Sequence, residues 1–118
     1  MAIKSYKDLI VWQKSVELCV EVYKVTESYP NSELYGLTLQ TRKSAVSVPS
    51  NIAEGQKRGH KAEYIQFLQV SFGSGAELET QLLIANKIGY LSSKDYKRLT
   101  TVLDEVMKML SGLLRSLK

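Results

Sequence analysis

The residues with the most chemistry to offer in this chain lie in a short basic turn. Gly55-Gln56-Lys57-Arg58-Gly59-His60-Lys61 places three cations and an imidazole between and just beyond two glycines. Cations at that density suit phosphate recognition, which works through charge and counterion release rather than through reading bases. A solvated cluster at two helix ends is the plainer account of the same residues. Four carboxylates, Glu77, Glu79, Asp104 and Glu105, invite comparison with a di-metal centre, but bundle sites of that kind use Glu-x-x-His pairs and the only histidine is His60. No metal or other cofactor is therefore expected. Cys19 and the serines have no histidine or lysine at a spacing that would activate a nucleophile, so no catalytic residue is assigned and an enzyme is not expected. Ser71, Gly73, Ser74, Gly75 and Ala76 could suggest a phosphate loop, yet no strand precedes them and no Gly-Lys-Ser/Thr follows. Close helix packing against a bulky neighbour such as Trp12 or Phe72 explains them better.

Composition narrows the setting. A chain of 118 residues is one domain by size, spanning residues 1–118, with 44% hydrophobic and 24% charged residues, the balance of a globular protein rather than a disordered one. Its net charge of +4 permits nucleic-acid binding and is also an ordinary solubility device. No apolar run is long enough to cross a bilayer and Met1 to Val11 lacks a secretory signal's apolar segment, so no membrane contact is expected and a cytoplasmic location is. The lone Cys19, among Val16, Val20 and Tyr23, has no internal disulfide partner and reads as a buried thiol.

These groups are carried by helices, since apolar residues recur every three or four positions and nowhere alternate. The first helix starts near Ser5, with Asp8 completing a capping box, and shows two apolar stripes. Leu9, Trp12, Val16, Cys19 and Tyr23 read as the core seam; Val11, Leu18, Val22 and Val25 point elsewhere and read as a subunit interface. Tyr29-Pro30-Asn31-Ser32 stops this helix and starts a second, from about Glu33 to Glu54, with a core face of Leu34, Leu37, Thr41, Ala45, Val48 and Ile52 and a bend expected near Pro49. The third runs from about Lys61 to Ile88 through Tyr64, Leu68, Ser71, Gly75, Leu78, Leu82 and Ala85. Ser92 and Asp95 box the start of a fourth, whose seam reads Tyr96, Leu99, Val102, Val106, Met109, Leu113 and Leu117. Short connections between four helices predict an all-α, antiparallel up-down four-helix bundle.

Several segments together resemble a known family: Asp8 to Lys14, Tyr35-Gly36-Leu37, Gln40 to Ala45, Val48 to Gly55 and Gly73 to Glu79. They are similar to the bacterial four-helix bundle family encoded in intervening sequences of large-subunit ribosomal RNA genes, over about Asp8 to Leu91, with Asn51-Ile52-Ala53-Glu54-Gly55 the most specific run. The resemblance implies a bundle assembling as a ring, a homopentamer, with no established enzyme activity. It extends to a related branch, the accessory variability proteins of diversity-generating retroelements, which are basic pentameric bundles that bind nucleic acid and a reverse transcriptase.

Folding four helices up and down sorts the charges by end. One end gathers Lys4, Lys7, Lys57, Arg58, Lys61, Arg115 and Lys118 against Asp8, Glu54 and Glu63, with Tyr6 and Tyr64 available to stack on bases or to pack. The other holds Lys24, Lys87, Lys94, Lys97 and Arg98, offset by Glu27, Glu33 and Asp95. Pairing the second and third helices about the central turn sets Arg42 and Lys43 near Glu77 and Glu79, which reads as a structural ion pair. The expectation is an oligomeric scaffold binding RNA or DNA backbone through the first end; the alternative is a structural module that binds a protein partner.

Overall fold

The computed structural model describes residues 5–118; Lys4, expected at the basic end, lies outside them. Four helices account for most of the chain: α1 (Ile10–Thr26), α2 (Leu37–Lys57), α3 (Lys61–Lys87) and α4 (Ser93–Leu117), with no strand among the described residues. Each packs on its neighbours in chain order and α4 closes back on α1, so the molecule is an up-down four-helix bundle measuring 44 × 25 × 20 Å. No helix is long and apolar enough to cross a membrane among the described residues.

Local chemistry sets the boundaries. Ser5 does cap, its Oγ accepting from the Lys7 N–H at 3.1 Å, but what it caps is a single 3₁₀ turn, Tyr6–Asp8. α1 begins only at Ile10. The second helix likewise starts later than its sequence pattern predicts. Asn31–Glu33 forms a 3₁₀ turn, Gly36 takes a backbone conformation outside the helical region, and the Glu33 carboxylate then accepts from the Leu37 N–H at 3.1 Å. α2 continues through Pro49 to Lys57 as one helix. Gly59, at φ +76°, makes the reversal into α3, and the Ser92 hydroxyl caps α4 by accepting from Asp95 N–H at 3.1 Å.

The core is two stacked clusters. One is built on Leu18, Val22, Ala45, Leu78, Leu82 and Leu103; the other, towards the α2–α3 turn, on Val11, Val48, Ile52, Leu68, Val106 and Leu110. This corrects the reading of α1. Val11, Leu18 and Val22 are 5%, 2% and 0% exposed and belong to the protomer's own core, with Val25 packed beside them, so this stripe is not a subunit interface. The stripe expected inside, with Trp12, Val16, Cys19 and Tyr23, is half-buried or exposed. The reason lies in Ser15 and Thr26, which complete the inner face. Their hydroxyls donate to the Trp12 and Val22 carbonyls at 2.8 Å, which lets both be buried and hides the true seam behind polar residue types.

Small residues in α3 serve close packing, as expected, but against a different partner. A Cβ on Gly75 would collide with Met107 Sδ from α4, and neither Trp12 nor Phe72 is the neighbour. Ser71 Oγ donates to the Val48 carbonyl at 2.8 Å and the Ser47 and Ser74 hydroxyls pair at 2.7 Å, tying α2 to α3. Leu34, expected in the core, is exposed in the connection before α2.

Candidate nucleic-acid interface

The basic turn ends α2 and opens α3, so its side chains fan from two antiparallel helix ends into solvent. Lys57 and Lys61 are exposed and form no ion pair among the described residues. Arg58 behaves differently. Its guanidinium bonds the Glu54 carboxylate at 2.9 Å and Glu63 at 3.3 Å and lies 5.1 Å over the Phe67 ring. The Glu54 hydrogen bond raises its pKa above the ordinary arginine value. Arg58 therefore braces the hairpin, and Lys57 and Lys61 are the cations left to solvent. His60 is exposed and its side chain caps nothing.

Other elements bring further cations to this end. The 3₁₀ turn carrying Lys7 packs on α1 and α2, and α4 runs out through Arg115 and Lys118, both exposed; Arg115 donates to Ser111 Oγ at 3.1 Å. The two tyrosines are occupied by packing. Tyr6 meets Trp12 edge-on at 5.2 Å between ring centroids, and Tyr64 is half-buried beside Gly55, its phenol pKa raised by burial. At the opposite end Arg98 bonds both Glu21 and Asp95 and Lys24 pairs with Glu21 at 3.4 Å, while Lys87, Lys94 and Lys97 are exposed and form no ion pair among the described residues.

The expected ion pair at mid-bundle does not form. Arg42 turns to α1, where its Nε donates to Thr26 Oγ1 at 2.8 Å, a terminal nitrogen reaches the Tyr23 carbonyl, and the guanidinium covers the Tyr23 ring at 4.7 Å. Thr26 offered a buried acceptor nearer than Glu77 or Glu79, and both acids remain exposed. Lys43 shares a shallow depression with Glu77 without pairing to it within 4.0 Å. The remaining carboxylates also face solvent: Glu105 pairs with Lys14 at 3.0 Å and Asp104 with Lys108 at 3.3 Å. Among the described residues no three carboxylate, imidazole or thiol groups converge. Burial raises the Cys19 thiol pKa, away from nucleophilic use.

Sequence reasoning missed an open groove between α1 and α2, lined by Tyr23, Leu39, Arg42, Val46 and Ser50. The signal was present in the first apolar stripe of α1, which carries Tyr23; reading that stripe as the core seam hid the groove.

The family model for the 23S rRNA-intervening sequence protein matches residues 7–112. The chain belongs to this family. A crystal structure of a protein of unknown function from the S23 ribosomal protein family of Bacteroides thetaiotaomicron superposes with a TM-score of 0.80 at 22% identity, over 89% of this chain and 98% of the other. That likeness establishes the shared bundle. No curated protein matches the sequence significantly. For this member of the intervening-sequence family, the run Asn51 to Gly55 has a structural role in the basic hairpin. Ile52 is fully buried, Asn51 Nδ2 donates to the Ser47 carbonyl at 2.8 Å, and Glu54 holds Arg58. A Cβ on Gly55 would come within 2.7 Å of Phe67 Cβ, so only glycine lets α2 and α3 meet this closely next to the turn.

Proposed function

We propose that the protein is a non-enzymatic oligomeric scaffold, acting in the cytoplasm, that holds nucleic-acid phosphates at the end formed by the α2–α3 turn, the start of the chain and the end of α4. The observation that carries this reading is the contrast within the turn. Arg58 is neutralised by two carboxylates, while Lys57 and Lys61 stand exposed on either side of it with no acidic partner among the described residues. Two mobile ammonium groups on a braced hairpin suit backbone phosphates, whose recognition needs charge and imposes little geometry. Lys7, Arg115 and Lys118 extend the same surface, and the family description, 23S rRNA-intervening sequence protein, supplies a nucleic-acid context. A second reading, a module that binds protein, is favoured by the apolar groove between α1 and α2.

The test is binding of nucleic-acid-free protein to labelled structured RNA and duplex DNA, titrated from low to physiological salt. The scaffold reading expects binding that persists near physiological salt with a slope worth several phosphates. In the Lys57→Gln, Lys61→Gln variant the slope drops by about two, whereas Arg58→Gln alone changes it less. Binding that vanishes above low salt overturns the reading in favour of the protein-binding module.

A further inference from the structure

We infer that the pole opposite the basic turn is a docking surface for another protein, taking an extended acidic segment that carries large apolar side chains. This goes beyond the phosphate reading above and does not depend on it.

The surface lies where the α1–α2 connection meets the α3–α4 connection. Up-down topology brings both to one end, and the Tyr90 hydroxyl joins them by donating to the Glu33 carboxylate at 3.1 Å. Around this bond Leu34, Tyr35 and Ile88 are 47%, 86% and 54% exposed. Connections are ordinarily built from small and polar residues. An aromatic and two aliphatic side chains turned out to solvent at one pole give the protomer no core and offer a partner an anchor.

The anchor is held in place before any partner arrives. Leu34 N–H donates to the Asn31 carbonyl at 3.1 Å and Gly36 N–H to the Glu33 carbonyl at 2.9 Å. One Glu33 oxygen accepts from Leu37 N–H and the other from Tyr90, whose ring rests against buried Tyr29. A Cβ on Gly36 would come within 2.8 Å of Glu33 Oε1, so glycine at this position lets the carboxylate close over the start of α2. A surface already ordered loses little conformational entropy on binding.

Charge identifies the occupant. Lys87 ends α3, Lys94 and Lys97 lie at the start of α4, and all three are exposed with no ion pair among the described residues. Against them stand Glu27, exposed and likewise unpaired, and Glu33, whose two oxygens are taken by neutral donors. Open lysines beside exposed apolar side chains complement a segment in which Asp or Glu flanks large apolar residues. Two of the three anchors are aliphatic and offer a base no ring to stack on, which favours a peptide over single-stranded nucleic acid. The bundle is 25 × 20 Å in cross-section, a span that about seven extended residues cover.

The experiment pans immobilised, nucleic-acid-free protein against a phage-displayed random-peptide library, then titrates the enriched peptides, labelled with fluorescein, by anisotropy. Enriched sequences are expected to place Asp or Glu beside Leu, Phe or Trp. The Leu34→Ser, Tyr35→Ser variant should weaken their binding about tenfold or more. The Lys87→Gln, Lys94→Gln, Lys97→Gln variant should weaken it and flatten its salt dependence. These positions are solvent-exposed, and circular dichroism confirms that each variant is folded. No enrichment, enriched sequences lacking acids or apolar side chains, or equal binding to the Leu34→Ser, Tyr35→Ser variant overturns the proposal. That variant should also keep the sedimentation behaviour of the unmodified chain and its affinity for structured RNA. A smaller species would make the occupant a second copy, and a parallel loss of RNA binding would make the pole a nucleic-acid surface; either result overturns the assignment to a protein partner.

Discussion

Tyr29 shows how much a single side chain can be constrained without taking part in any site. Its ring is 5% exposed and lies 5.7 Å from that of Tyr90, yet its hydroxyl is buried with no hydrogen-bond partner. Desolvation of the phenolate pushes its pKa up to about 12. Burial raises the Tyr64 phenol as well, and the hydrogen bond to Glu33 raises that of Tyr90. The folded state therefore holds these protons more tightly than the unfolded chain. For Tyr29 the resulting stability is complete below the free-phenol pKa near 10 and is lost as pH rises through about 12. Urea midpoints measured against pH should fall across that window, and Tyr29→Phe should flatten the fall. At neutral pH the same substitution should leave stability unchanged or slightly higher, because the hydroxyl it removes bonds nothing.

Among the elements, α4 gives the clearest sequence pattern and still sits rotated from it. The expected seam through Val102, Met109 and Leu113 lies at the edge of the buried face, whose centre is Leu99, Leu103, Val106 and Leu110. Apolar residues cover so broad an arc of this helix that several stripes fit equally well. Met109 and Leu113 end up lining a depression with Leu9 and Ile10 at the start of α1. Leu103→Ala should accordingly cost about 2–5 kcal/mol in urea unfolding, the range for a fully buried leucine, and Leu113→Ala less than half as much. Equal losses at the two positions would refute the observed rotation. In α1 the same ambiguity reversed the outcome, because Ser15 and Thr26 look like surface residues by type and are buried in fact.

For the whole molecule, up-down topology makes the two ends chemically unequal. At one end Glu21 meets Arg98 from α4 and Lys24 on its own helix, leaving Lys87, Lys94 and Lys97 open; at the other Arg58 alone is met, and Lys57 and Lys61 stay open beside Lys7 and Lys118. If the α2–α3 end is the phosphate site proposed above, binding should be polar along the long axis. Replacing Lys87, Lys94 and Lys97 with glutamine together should leave RNA affinity at physiological salt within about twofold, whereas the Lys57→Gln, Lys61→Gln variant should lose about an order of magnitude or more if two phosphate contacts go. Filter-binding titrations of both variants at matched salt distinguish this from a diffuse effect of net charge, which would weaken the triple variant more.

The sequence by itself determined the helices, the antiparallel order, the reversal at Gly59, the cap at Ser92 and the gathering of cations at one end. Each follows from local rules: periodicity, glycine conformation, side-chain capping and short connections that force neighbours to run in opposite directions. It also placed Lys57 and Lys61 at a turn. Only the tertiary structure decided which apolar stripe of α1 faces inward, that Arg42 serves Thr26 and Tyr23 rather than Glu77 and Glu79, and that Arg58 is spent on Glu54 and Glu63. Those outcomes depend on how far each helix rotates about its own axis. Rotation is set by the fit against two neighbouring helices at once, and residue spacing along one helix does not contain it.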